Sequence, residues 1–490
     1  MPQTTKNIIL IIVSLAAGLN FLFTGNMLGL ALTVLLPLGL MSLSNPGVMA
    51  VLSIAFFCSW IKIPFAPGVR QMYELFMGMT FISCLLHIFT GRRPWRMTFL
   101  NICVTVFVGI LGFLMYYRGF GFQSTGGSTW GGGMYLVLIP CALFFIASMS
   151  LRLTLIQWRT AISMMCIFSI LPAIAEITGM LTGSARPFLN AIFINPQASS
   201  ISFEEVRNNL DFSYRFKGFM PAYSVFLLPF ALLPFSSRSF LAHLAFITLS
   251  LIFAALTGHR LLIITILLFT WSFFFFKASN KLTYMIKSSA ALGFCWMLLA
   301  FSAHLLPLNA QRALSFVPGT GISHRMTDDA RATSDWRVQV WKAAIKDIPE
   351  YVIIGKGFSY DAETFISIMR GSRVSQSDNI QWALFSGAYH QGILSLLICM
   401  GLPGLAAGVA FIFGILIRHW RVAHSQWQNA EEQRIHSALY IMFAVLSFNY
   451  VAIYGDVPVS FPTLFFYGGL LELLLNSKDK PQEDAAQIIQ

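Results

Sequence analysis

Residues 391–417 read QGILSLLICMGLPGLAAGVAFIFGILI, a run with no charged side chain that ends on Arg418. About 20 apolar residues carry a helix across the hydrocarbon core, so this stretch spans a bilayer with length to spare. Working outward, the pattern recurs near 8–24, 26–43, 47–61, 72–90, 98–117, 133–151 and 160–182 in the first half of the chain. In the second half it recurs near 221–236, 239–257, 260–277, 285–307, 436–455 and 459–476. The expected fold is an all-α integral membrane protein of about 14 transmembrane helices (12–14, because the pairs 26–43/47–61 and 221–236/239–257 are short and closely spaced). Residues 1–490 read as one transmembrane bundle, since no shift in composition marks a second domain.

Composition agrees with lipid as the solvent. Hydrophobic residues make up 56% of the chain and charged residues 11%, against about a quarter charged in ordinary soluble proteins. The net charge of +12 would suggest nucleic acid in a soluble protein. Here the basic residues sit in short connectors between apolar runs, which argues against nucleic acid and for membrane topology. The seven cysteines, Cys58, Cys84, Cys103, Cys141, Cys166, Cys295 and Cys399, all lie inside apolar runs without metal-ligand spacing and read as packing residues.

Charge sets the orientation. Alternate short loops carry Arg92, Arg93 and Arg96; Arg152 and Arg159; Lys277, Lys281 and Lys287; and Arg418, Arg421 and Arg434. The positive-inside rule places that set and both termini in the cytoplasm. Two long polar segments then fall outside, a first periplasmic loop at 183–220 and a large one at 308–390. A loop of the second length carries function or disorder. Within it Val338, Trp341, Ile345 and Ile348 recur at helical spacing, which predicts a helix over 334–348, started by Ser334 or Asp335 and stopped by Pro349.

Three side chains stand out at the outer rim. An arginine beside lipid is costly unless it snorkels or meets an anion. Arg260 opens the tenth span, Arg337 lies early on the loop helix, and His390 sits where the loop re-enters the membrane. Each has a plain rival: a snorkelling helix end, a solvated helix face, a structural boundary histidine. Asp361 and Glu363, two residues apart, offer a metal reading that nothing else in the loop completes. Glu176 and Asp456 are acidic groups near outer span ends, placed to orient an arginine or to reach headgroup water. Trp336, Trp341, Tyr360, Trp382 and Tyr389 can stack on sugars or belong to an interfacial aromatic belt.

Taken in order, several segments resemble the O-antigen ligase and polymerase family. They are Arg215-Phe216-Lys217-Gly218-Phe219 before Pro221; Thr257-Gly258-His259-Arg260; Ser334-Asp335-Trp336-Arg337 with Trp341; Ile353-Ile354-Gly355-Lys356-Gly357-Phe358; and His390 followed by Gly401-Leu402-Pro403-Gly404. The likeness covers roughly residues 210–455. It implies a glycosyltransferase of the bacterial inner membrane that moves a glycan from an undecaprenyl-pyrophosphate carrier to an acceptor hydroxyl at the periplasmic face. The acceptor is a glycan or lipid A-core, the anomeric centre is inverted, and no metal or other cofactor is expected. His390, Arg337 and Arg260 are the implied catalytic groups, with Arg215, Trp336, Trp341 and Tyr389 binding substrate. Guanidinium groups match this chemistry, being permanently charged forks for phosphate, and imidazole suits a base for a hydroxyl proton. Polymerase, ligase and protein-directed transferase share these needs and stay open. A flippase for the lipid-linked sugar, without chemistry, is the alternative from another class.

Overall fold

The computed structural model describes residues 45–63, 71–91, 96–122, 128–194, 216–225, 227–234, 239–315, 317, 319–371, 376–425, 427 and 429–478. The expected spans at 8–24 and 26–43, and Arg215, lie outside the described residues.

The described helices are, in chain order, α1 (Pro46–Phe56), α2 (Met72–Phe89), α3 (Phe99–Arg118), α4 (Gly132–Ser148), α5 (Leu155–Leu181), α6 (Arg186–Ile192), α7 (Met220–Val225), α8 (Leu227–Leu232) and α9 (Phe240–Thr257). They continue with α10 (Arg260–Lys277), α11 (Lys281–Ser302), α12 (Leu308–Leu314), α13 (His324–Tyr351), α14 (Ala362–Gly371), α15 (Gln376–Ser386), α16 (Gly392–Ala423), α17 (Ala430–Phe448) and α18 (Val457–Lys478). A π-helical turn, Asn449–Ile453, prolongs α17. Nine of the described helices are long and apolar enough to cross a membrane, and α1 and α4 are shorter apolar helices. The chain is an all-α membrane protein. Its one described strand pair, β1 (Thr129–Trp130) with β2 (Tyr360–Asp361), is two residues long.

Helix α18 is the centre of the bundle, with Phe461, Phe465, Phe466, Leu470 and Leu474 all buried. It packs on α4 and α17, while α16 packs on α3. Aromatic contacts fill the seams, with Phe57 stacked on Phe466 at 3.7 Å and Phe107 on Phe461 at 5.0 Å. A helix that is apolar all round is buried all round. By contrast, α11 buries no residue.

One break in this bundle positions the site. Gly401 interrupts α16 with φ 69° and ψ −177°, and a Cβ there would meet Ile353 O at 2.7 Å. A broken helix in lipid leaves carbonyls that must find donors. Leu402 N donates to Val352 O (2.7 Å) instead of to Ile398, and Pro403 has no N–H to offer Cys399. The two orphaned carbonyls are taken by the loop: Lys356 N donates to Ile398 O (2.8 Å) and Gly357 N to Cys399 O (2.9 Å). The approach is close enough that a Cβ on Gly355 would meet Cys399 O at 2.3 Å. The Ile353–Phe358 motif is thus a plug for the break in α16.

The N-terminal helices grip the same plug. Arg118, the last residue of α3, donates from Nε to Gly355 O (3.1 Å), and its guanidinium lies over the Tyr351 ring at 5.6 Å. Phe358 N donates to the hydroxyl of Tyr135 on α4 at 3.0 Å, Ser359 Oγ donates to Gly119 O, and Ala362 N donates to Ser128 O at 2.8 Å.

Candidate functional site

Helix α13 carries the loop's share of the site and corrects two expectations. It starts at His324, ten residues before Ser334, because no Gly or Pro interrupts 325–333. Pro349 lies inside its last turn instead of ending it. The buried stripe also differs from the predicted one. Met326, Ala330, Val340 and Ala344 are buried, whereas Val338 and Ile345 are exposed. Spacings of three and four from Ala330 through residue 333 lead to Arg337 and then Val340, so Arg337 falls within the buried stripe.

His390 enters α16 from a backbone that side chains rarely adopt, φ 55°. Asp456, which immediately precedes α18, holds it at two points. His390 N donates to Asp456 Oδ1 at 2.7 Å, and His390 Nδ1 lies 2.8 Å from Asp456 Oδ2. A carboxylate only accepts, so Nδ1 bears a proton and, in the neutral ring, Nε2 carries the lone pair. Gln391 caps α16 by accepting from Leu394 N. Asp456 is buried, and both its oxygens face His390 instead of headgroup water.

Arg337 comes to the same place from α13. Its guanidinium carbon lies 5.4 Å from the centre of the Tyr454 ring, and that ring stacks on His390 at 4.7 Å with 22° between planes. Trp336 tilts against His390 at 5.4 Å. Among the described residues, neither Arg337 Nε nor Trp336 Nε1 finds an acceptor, although both atoms are buried. Burial pulls the Arg337 guanidinium below its ordinary value, and Tyr454 and Asp456 act against that. An arginine begins so high that the group stays charged. A buried cation flanked by unused donors is suited to an anion with several oxygens.

The remaining predicted residues take different places. Arg260 opens α10 after Gly258, φ 66°, and its Nη2 donates to Ala330 O of α13 at 3.3 Å. It meets the same helix as Arg337, two turns earlier, about 10 Å along the axis. Trp341 Nε1 donates to Tyr389 O at 2.8 Å, which ties α13 to the residue before His390. The Tyr389 ring is fully buried and leaves no face for a sugar, a correction to its reading as a binding residue. Asp361 Oδ2 accepts from Thr364 N at 2.8 Å and caps α14, which accounts for that carboxylate. Glu176 is buried and accepts from Gly218 N at 2.7 Å, fastening the segment that follows Arg215.

Sequence reasoning missed the span from Asn449 to Asp456 as a unit. Asn449 Nδ2 donates to Thr265 Oγ1 of α10 at 2.7 Å, Tyr454 N donates to Asn449 O at 2.8 Å, Tyr454 touches Arg337 and His390, and Asp456 holds His390. The only available signal was Asp456, an acidic residue in an expensive position.

No curated protein matches the chain. A family model described as O-antigen ligase matches residues 244–409, the stretch that holds Arg260, Arg337 and His390 and stops short of Asn449–Asp456. The likeness read from the motifs holds over that stretch: residues 244–409 are similar to the O-antigen ligase family.

Proposed function

We propose that the protein transfers a glycan from an undecaprenyl-pyrophosphate carrier to an acceptor hydroxyl, with inversion and without a metal, at the periplasmic face of a bacterial inner membrane. The observation that carries this reading is the His390–Asp456 pair with the Arg337 guanidinium across the Tyr454 ring. Nε2 of His390 accepts the hydroxyl proton as the acceptor oxygen bonds to the anomeric carbon. The bond from that carbon to the pyrophosphate oxygen breaks, and its electron pair leaves with undecaprenyl pyrophosphate. Arg337, supported by Arg260 along the same helix, meets the departing charge. Pyrophosphate already leaves well, so cations and a base are all the step asks of the protein.

Arg215 and Trp336 remain proposed substrate contacts. The Trp336 indole N–H, buried without an acceptor among the described residues, favours donation to a donor oxygen over sugar stacking alone. Ligase, polymerase and protein-directed versions share this centre and differ in the acceptor.

The test is complementation of a strain lacking the gene. Wild type restores surface glycan, whereas His390→Ala inserts at the normal level and restores none. Single repeats with the ladder lost mark a polymerase, and full-length glycan left on the carrier marks a ligase. Normal glycan from His390→Ala removes the imidazole as the base.

A further inference from the structure

We propose that Tyr454 is a positioning residue of the transfer reaction, the aromatic plate that fixes the distance between the base His390 and the cation Arg337. The proposal rests on the transferase reading above and goes beyond the matched family segment, which ends at residue 409.

The two groups come from different elements, tied through their neighbours by the Trp341–Tyr389 hydrogen bond and by the Trp336 ring against His390. Arg337 is on α13 and His390 precedes α16. Neither hydrogen-bonds the other, and the Arg337 Nε is buried without an acceptor among the described residues. One face of Tyr454 lies nearly parallel to the imidazole, 4.7 Å away. The ring also receives the guanidinium at 5.4 Å, within the range of cation–π attraction. Tyr454 is suited to both contacts because it is uncharged: burial first, and the Asp456 carboxylate second, push its phenol up to about 12.

The backbone below the ring makes the plate rigid. A π-helical turn over Asn449–Ile453 gives way to extended backbone at Tyr454, φ −162°, and Tyr454 N donates back to Asn449 O. Such turns are uncommon and re-aim the side chains that follow them. Asn449 is itself anchored to Thr265 on the helix that Arg260 opens. Two residues past Tyr454, Asp456 fixes the other edge of His390. One short segment thus references all three proposed catalytic groups.

The experiment uses purified full-length protein. The donor is the lipid-linked glycan that accumulates in cells lacking the gene, and the acceptor is membranes of the same cells. Misplacement by about 1 Å costs ~10²-fold in rate. Tyr454→Leu is expected to lower kcat per folded protein by about 100-fold, with the melting temperature near wild type, and Tyr454→Phe to recover the rate to within about threefold. Should the leucine variant not fold, phenylalanines of increasing fluorination at 454 keep the shape and drain the ring face, and kcat is expected to fall with each added fluorine. A leucine variant as fast as wild type, equal losses in Leu and Phe, or a flat fluorination series overturns the plate while leaving the transferase reading intact. Transfer by His390→Ala, run alongside, overturns the transferase reading itself.

Discussion

His390 sits at φ 55°, where a residue with a Cβ is strained by about 1–3 kcal/mol. The strain persists because Asp456 accepts both His390 N–H and the Nδ1 proton. Asparagine at 456 has one acceptor for two donors, so Asp456→Asn must abandon either the backbone contact or the tautomer. Loss of a well-placed base costs typically 10²–10⁴-fold, and Asp456→Asn is expected to lower kcat by about 10²-fold or more with KM nearly unchanged. Steady-state transfer assays check this, and a variant within threefold of wild type contradicts it. At this scale the sequence disclosed residue types but not partners. His390, Arg337 and Arg260 stood out because charge beside lipid is costly. Tyr454 did not, since a tyrosine at a membrane boundary is common and its value lies in contacts with residues 64 and 117 positions away.

The element that makes the site possible is the junction between the Val352–Phe358 segment and the break at Gly401. Its hydrogen bonds exchange one helix's lost partners for a loop's, so the plug and the break need each other. Gly355→Ala drives a Cβ to 2.3 Å from Cys399 O and is expected to release the loop while the bundle stays folded. Limited proteolysis shows it as faster cleavage between 352 and 390, with transfer lost in parallel; unchanged cleavage contradicts the account. Lys356 adds a pH dependence. Its Nζ donates to Leu384 O at 2.7 Å, and burial pulls the amine below its ordinary value. The released loop then binds more protons than the docked one, so docking strengthens as pH rises from that lowered value toward 10.5. Loop protection is expected to rise across that window and to flatten in Lys356→Met. Most helices were legible in the sequence because hydropathy alone dictates them. The buried face of α13 was not, because alanines at 330 and 344 pack tightly without adding hydropathy, and the large residues Val338 and Ile345 point outward.

Across the whole molecule, α16 joins two ionic clusters at opposite ends. His390 precedes its first residue, and roughly 40 Å along the helix His419 lies buried with His436 of α17 and Glu472 of α18. His419 Nδ1 is 3.0 Å from His436 Nε2, and Glu472 Oε1 takes both His419 Nε2 at 3.1 Å and Arg418 Nε at 2.8 Å. Removing one partner of a buried ionic set costs about 3–5 kcal/mol. Glu472→Leu is expected to lower the melting temperature in detergent while transfer per folded protein stays at the wild-type rate; unaltered stability contradicts the first part, and slowed transfer the second. The N-terminal half belongs to the same machine through Arg118 and Tyr135, which hold the loop from α3 and α4. Hydropathy gave no hint of that role, since it reports that a segment spans and not what its ends grasp. The central claim concerns bond cleavage, and the most direct measurement counts products. Purified protein is mixed with lipid-linked glycan and acceptor membranes, and free undecaprenyl pyrophosphate and glycosylated acceptor are quantified together. The account predicts one carrier released per glycan transferred by wild type and neither product from His390→Ala; glycan moved without carrier release, or equal yields from the variant, contradicts it.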